Sequence, residues 1–234
     1  MIVGPNAFLG KVNLYLRNHC LVRDIGLIPY DRCLVAMIKE VELLASSLHE
    51  PISQCWLVEH YPVFTAGISA SPKHFSSIGQ SAQKIPFVFT DRGGQITYHG
   101  PGQLVIYLLV DVRRLFCSAP KLFVSCIEKT LINIFRSMDI DVHLKPGYPG
   151  VYISDLKLVS LGFKFRRGWS YHGIAINVDM DLSPFSEINP CGSCGLKMTQ
   201  LKDVSTSLTT VDILDVVVDA LTASIVGRGG MDGN

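Results

Sequence analysis

The sequence predicts an α/β fold of the α+β kind: a single domain with a mixed, mainly antiparallel sheet flanked by helices. Three observations carry the prediction. Apolar residues recur at helical spacing near the start, the middle and the end of the chain, and the stretches between them are apolar, β-branched runs of strand length. Ser154-Asp155 joins two of those runs as a hairpin turn. With 234 residues, 48% of them hydrophobic, the chain is long enough for one well-packed domain and short for two.

Taken in order, residues 30–49 set Leu34, Met37, Ile38, Val41, Leu44, Ala45 and Leu48 on one face of an amphipathic helix. The stretch CWLVEHYPVFTAG reads as a strand running into a Pro/Gly turn, and IPFVFTDRGG as a second strand ending in glycines. GQLVIYLLVDV is continuously apolar, as expected of a strand covered on both faces. A helix over 120–138 opens on Ala119-Pro120-Lys121, strands follow through 150–184, and TTVDILDVVVDALTASIV forms the last helix. The tail GRGGMDGN reads as frayed, which puts the domain at 1–226 and a flexible tail at 227–234.

Charge and cysteine usage narrow the function classes. The 21 basic and 20 acidic residues nearly cancel and form no polybasic run, so neither nucleic acid nor a membrane surface is implied as a partner. No 18-residue uncharged apolar stretch and no secretory leader are visible. Seven scattered cysteines, an odd number, point to free thiols in a reducing, cytoplasmic setting.

Three stretches carry chemistry-bearing residues. In DRGGQITYHGPGQLVIY, glycines alternate with Arg92, Thr97, Tyr98, His99 and Gln103. Glycine lets backbone approach a ligand, but a long hairpin loop explains the same pattern. No Gly-Lys-Ser/Thr follows it and no helix opens after it, so it is neither a Walker loop nor a dinucleotide fingerprint. In SDLKLVSLGFKFRRGWSYHGIAINV, alternation runs through Leu158, Ser160 and Gly162 after Lys157. The small residues can line a slot for an alkyl chain, but on the residues alone ordinary strand packing and a solvated surface lysine are the preferred reading. In INPCGSCGLKMTQL, Cys191 and Cys194 stand three apart. Cys20, Cys33, Cys55, Cys117 and Cys126 supply no second pair and no spaced histidines follow, so zinc is not expected. Gly192, Gly195 and Pro190 make a poor helix start for a redox pair. A single nucleophile remains, with proline stiffening the approach and glycine baring the amide beside the sulfur.

The stretches RGGQITYHGPGQLVIY and GVYISDLKLVSLGFKFRRGWSYHGIAINVDMDLSPFSEINPCG, with their helical flanks, resemble the lipoyl(octanoyl) transferase family from about residue 12 to residue 222. The resemblance implies a fold similar to biotin and lipoate protein ligases. It implies transfer of an octanoyl group from octanoyl-acyl carrier protein to the lysine of lipoyl domains of 2-oxoacid dehydrogenases and of the glycine cleavage H protein. The family's acyl-thioester cysteine falls on Cys191 and its thiol-activating lysine on Lys157. Its substrate-binding stretches fall on Arg92, Gly93, Gly94, Gln95, Ile96, Thr97, Tyr98 and His99, on Ser160, Leu161 and Gly162, and on Gly173, Ile174 and Ala175. Cys194 has no counterpart, which makes the Cys-x-x-Cys spacing accidental. No cofactor and no metal are implied.

The residue types agree with that chemistry. A free thiol titrates near ~8.5 and attacks as the thiolate, which a nearby cation favours. Lys157 is placed to be that cation or a proton shuttle, and two steps through one nucleophile imply ping-pong kinetics. Amides near Gly192 or in the glycine-rich loop are candidate oxyanion donors. Two other readings stand beside this one: an ATP-dependent lipoate or biotin ligase of similar fold, and a non-catalytic module that binds acyl groups or lipoyl carriers.

Overall fold

The computed structural model describes residue 9 and residues 12–71, 84–188, 196–205 and 210–227. The chain opens with a hairpin, β1 (Asn13–Arg17) and β2 (Cys20–Ile28), joined through Asn18 and His19 at φ 46° and 57°. Two positive-φ residues are what a tight two-residue hairpin turn requires. The sequence reading did not find this hairpin, because the first strand is an exposed edge with Leu14 51% and Leu16 64% exposed, and so shows no buried face.

Helix α1 (Tyr30–Ala45) carries the chain from β2 to β3 (Gln54–His60), which pairs parallel to β2. The helix stops before Leu48, which is 99% exposed and not part of the apolar face expected of it. The predicted CWLVEHYPVFTAG strand is two: Tyr61-Pro62 separates β3 from β4 (Val63–Ala66), and the two strands join different sheets. β5 (Phe87–Phe89) and β6 (Ile96–His99) flank β4, so the glycine-rich stretch is not one long loop but contains a strand. β7 (Gln103–Leu109) leads into a short helix α2 (Val112–Leu115), then α3 (Pro120–Ser137). Pro120 sits in the first turn of α3, where its missing N–H costs nothing. β8 (His143–Lys145), β9 (Tyr148–Ile153), β10 (Leu156–Arg166) and β11 (Trp169–Asn177) complete the strands, with Ser154 at φ 49° in the expected hairpin turn, and α4 (Thr210–Val226) closes the fold.

The large sheet runs β1-β2-β3-β7-β11-β10-β9-β8, antiparallel except for β2–β3. The mixed, mainly antiparallel sheet expected from the sequence is thus observed. β7 shows why its sequence is continuously apolar. Leu104, Ile106 and Leu108 face a core built with Phe123, Ile127, Leu131 and Phe135 of α3 and Val217, Leu221 and Ile225 of α4. Val105, Tyr107 and Leu109 face the other way, toward Cys33, Met37 and Val41 of α1. The three-stranded sheet has its own small core of Phe64, Ile96, Tyr98, Phe185 and Ile188. The candidate site lies where the small sheet meets the α1-side face of the large one.

Candidate active site

Four strand positions on that face lack bulk. Ser160 pairs with Ala175 and Gly162 with Gly173 across β10 and β11, and Ala175 and Gly173 pair in turn with Val105 and Tyr107 of β7. Side chains two apart share a face, so these small residues form a floor. A Cβ on Gly173 would run into the carbonyl oxygen of Ile106, so only glycine fits there. The segment Arg92–His99 forms the roof. Its Gly93 N–H donates to the carbonyl of Phe163 at 3.0 Å, and a Cβ on Gly162 would stand 3.1 Å from the Gly93 oxygen. Between floor and roof is a narrow cavity of about 60 Å³, lined among others by Arg92, Gly94, Gln95, Ile96, Thr97, His99, Lys157, Ser160, Leu161, Gly162, Gly173, Ile174 and Ala175. That volume takes about four to six water-sized units.

Lys157 enters this slot because of a β-bulge. The register of β10 against β9 shifts between Lys157 and Val159, so Leu158 and Val159 both pack into the α3–α4 core. The expected alternation Leu158-Ser160-Gly162 is therefore broken: Lys157 takes the slot-facing place that Leu158 would have held. The lysine is 2% exposed, which rules out a solvated surface role. Its backbone is tied to the segment that follows the cysteine pair: Lys157 N–H donates to Lys197 O at 2.9 Å, and Thr199 N–H to Lys157 O at 3.0 Å. Cys191 and Cys194 lie outside the described residues.

The other end of the slot is walled by Tyr30, His99, Tyr107 and His172, of which the sequence reading named only His99. His60 Nδ1 meets the carbonyl of Ile28 at 2.9 Å and so carries the proton, leaving Nε2 to accept from Tyr107 Oη at 2.7 Å. Both bonds suit a neutral ring, and burial pushes the His60 pKa down to about 4. His99 stacks on Tyr30 with ring centres 5.7 Å apart. Its Nδ1 donates to Gln103 Oε1 at 2.7 Å, and Gln103 Nε2 donates to Asn177 Oδ1 at 2.9 Å. Asn177 Nδ2 reaches Thr199 O at 2.9 Å, which links this end back to the Lys157 pairing segment. Burial first, then the neighbouring His60 ring and the Arg92 charge, hold His99 well below its ordinary pKa. His172 Nε2 donates to Asp91 at 2.9 Å, and that bond is the main cause of an Asp91 pKa of about 2.

Arg92 is a clamp for the roof. Its guanidinium donates to Thr65 O at 2.6 Å, to Thr65 Oγ1 at 2.9 Å and to Gln95 O at 2.7 Å. Tyr98 turns away from the slot into the small core against Phe64 and Phe185, because β6 alternates and Thr97 and His99 hold the slot side. Gly93 borders a second, outer cavity of about 590 Å³ that shares Gly94, Gln95, Lys157, Leu161 and Gly162 with the slot. Tyr107 and His172 were legible only in part: each neighbours or pairs with Gly173, but nothing in their own sequence pattern marks the face they turn to. His172 sits at φ 58°, a local twist that no residue pattern announces.

A family model, the lipoyl protein ligase A/B catalytic domain, matches residues 34–222. The chain belongs to that family. Its curated relatives include the octanoyltransferase of Pseudomonas entomophila, 50% identical over 184 residues, which make up 79% of this chain and 82% of that protein. The octanoyltransferase of Stutzerimonas stutzeri is 45% identical over 204 residues, 87% of this chain and 90% of that one. Identity of this extent along most of both chains makes this family member an acyltransferase of the octanoyltransferase type. Among solved structures, the bi-partite lipoate protein ligase of Thermoplasma acidophilum superposes with a TM-score of 0.64 over 90% of this chain and 84% of its own, at 13% identity. A lipoate-protein ligase A bound with ATP superposes at 0.63 over 89% and 85%, at 12% identity. Those two likenesses show the shared ligase-like fold. Among the described residues no helix is long and apolar enough to cross a membrane.

Proposed function

We propose that this chain moves an octanoyl group from acyl carrier protein to the lysine of a lipoyl domain, through a thioester on Cys191. The observation that carries the reading is Lys157: an amine 2% exposed, aimed into a slot floored by Ser160, Gly162, Gly173 and Ala175. An unbranched acyl chain is the ligand that a narrow, small-residue slot admits, and an amine at its mouth is the group that a thiol nucleophile needs. Cys191 follows the buried Ile188 by three residues and precedes Lys197, the pairing partner of Lys157, by six.

In the first step the Cys191 thiolate attacks the donor carbonyl; a new C–S bond forms, the carrier's C–S bond breaks, and the carrier thiolate takes a proton. In the second, the acceptor amine attacks the enzyme thioester; a C–N bond forms, the C–S bond to Cys191 breaks, and the amine's proton passes to sulfur. Lys157 stabilises the thiolate and relays that proton. Arg92–Thr97 with His99, Ser160–Gly162 and Gly173–Ala175 hold the chain, and Tyr98 supports the roof from behind. The donor is already activated, so the reaction uses no nucleotide and no metal. The lipoyl domains of 2-oxoacid dehydrogenases and the glycine cleavage H protein are the acceptors, the setting is cytoplasmic, and residues 1–226 act as one catalytic domain.

Incubation with octanoyl-acyl carrier protein and no acceptor should raise the intact mass by one octanoyl group, removable by hydroxylamine and mapped to Cys191. Adding a lipoyl domain without ATP should discharge it. A strict requirement for ATP and magnesium would replace this reading with the ligase one, and an octanoyl group on Cys194 would reassign the nucleophile.

A further inference from the structure

Lys157 reaches the slot by passing over a glycine. On β9, Tyr152 stands opposite Lys157, and Gly150 stands opposite Ser160, one step nearer the slot. The lysine Nζ lies 5.6 Å from the centre of the Tyr152 ring, so its stem runs along β9 from that ring toward Gly150. A Cβ built on Gly150 would overlap Lys157 Cε and would stand 3.2 Å from Nζ and 2.6 Å from Val159 O. Gly150 also sits at φ 143°, in a region that side chains disfavour. The charged groups around this stem come from four elements: Lys145 of β8 lies 4.9 Å from the same Tyr152 ring and pairs with Asp155 at 2.7 Å, Glu128 of α3 is bonded to the Gly150 backbone, and Arg92 lines the slot.

We propose that Gly150 is a positioning residue for the reaction: its missing side chain is the channel through which the Lys157 ammonium is delivered to the slot. This rests on the reading of Lys157 as the group that activates Cys191. A strand glycine weakens its strand, and a small side chain here would push the stem aside without touching any substrate. Displacing a reacting group by about an ångström costs on the order of 100-fold in rate.

The test is Gly150→Ala in the natural chain and in a Lys157→Ala background, read by the pH midpoint for alkylation of Cys191, by octanoyl transfer and by thermal unfolding. Gly150→Ala should slow transfer about 10- to 100-fold and move the alkylation midpoint upward, toward that of Lys157→Ala. In the Lys157→Ala background it should move neither, and its loss of melting temperature should shrink, because the stem it strikes is gone. If Gly150→Ala yields no folded protein, the double variant should fold. An equal melting-temperature loss in both backgrounds, an unchanged alkylation midpoint in folded Gly150→Ala, or failure of the double variant to fold would overturn the proposal and leave only backbone strain against Val159. Should Lys157→Ala itself leave alkylation unchanged, the activating role of Lys157 fails, while the melting-temperature coupling still reports on the contact.

Discussion

At one end of the slot a single amine is carried in by an irregularity of one strand; at the other, rings from α1, β6, β7 and β11 pack into a wall. The Lys157 end depends on a bulge, on a bare glycine beside the stem, and on backbone bonds to the segment after the cysteine pair. The ring end depends on two chains of hydrogen bonds, His60 to Tyr107 and His99 through Gln103 and Asn177 to Thr199, in which every role suits neutral imidazoles. The comparison separates two demands on one cavity. Chemistry needs a charge brought into an apolar place, which the fold allows by bending a strand locally. On the proposed reading, chain recognition needs a rigid end, and buried rings, hydrogen-bonded except at His172 Nδ1, provide rigidity without a net charge to be solvated.

Breaking the charged end should cost most. Lys157→Ala is expected to lower octanoyl transfer by about 10²- to 10⁴-fold, the range of a lost acid–base group, and to raise the pH at which Cys191 is alkylated. Lys157→Arg should restore the alkylation midpoint in part and transfer hardly at all, since a guanidinium holds its proton. Single-turnover acyl transfer and iodoacetamide labelling across pH check both, and an unchanged labelling profile in Lys157→Ala would assign the lysine elsewhere.

Filling the floor comes next. Ala175→Leu puts three carbons between Val105 and Ser160. Octanoyl transfer should fall about 100-fold while shorter acyl donors lose less, because each methylene refused by an apolar pocket is worth roughly 1–3 kcal/mol. A uniform loss for every chain length would mean that the chain does not lie over Ala175.

Loosening the roof should act on stability before rate. Arg92→Lys keeps the charge but cannot reproduce the fork that holds Thr65 and Gln95, so about 2 kcal/mol of stability should be lost. Denaturant unfolding measures it, and no change would show that the clamp is redundant.

The smallest effect sharpens the ring end. His60 has its folded pKa depressed to about 4 from 6.5, so the unfolded chain binds the proton first as pH falls. The stability this ring contributes is complete above pH 6.5 and is lost as pH falls from there toward 4. Between pH 7.5 and 6 the His60 share of the loss should be about 0.8 kcal/mol, and His60→Gln should remove that share and leave the part due to His99 and His172, whose pKa values are also depressed. Asp91, depressed to about 2, loses its contribution at lower pH and does not confuse the window. A slope that His60→Gln leaves intact would place the titration on another buried ring, His99 or His172.

The sequence by itself determined the elements whose physics is local. The helical spacing of Leu34, Met37, Ile38 and Val41, the two-sided apolar run of β7, and the turn at Ser154-Asp155 all follow from periodicity and backbone preference. It also marked the small residues of the floor, because glycine, serine and alanine in a strand stand out where bulk is expected. It did not show the β1–β2 hairpin, whose edge strand has no face to bury, nor the break at Tyr61-Pro62 that sends β4 to a second sheet. Above all, residue pattern alone leaves Lys157 a solvated lysine on a regular strand, and only the family resemblance marks it as the thiol-activating group. One extra residue in β10 reverses which side chains face the slot, and a bulge depends on how β9 and the returning segment at Lys197–Thr199 pair with it, on contacts distant in sequence that no local pattern encodes.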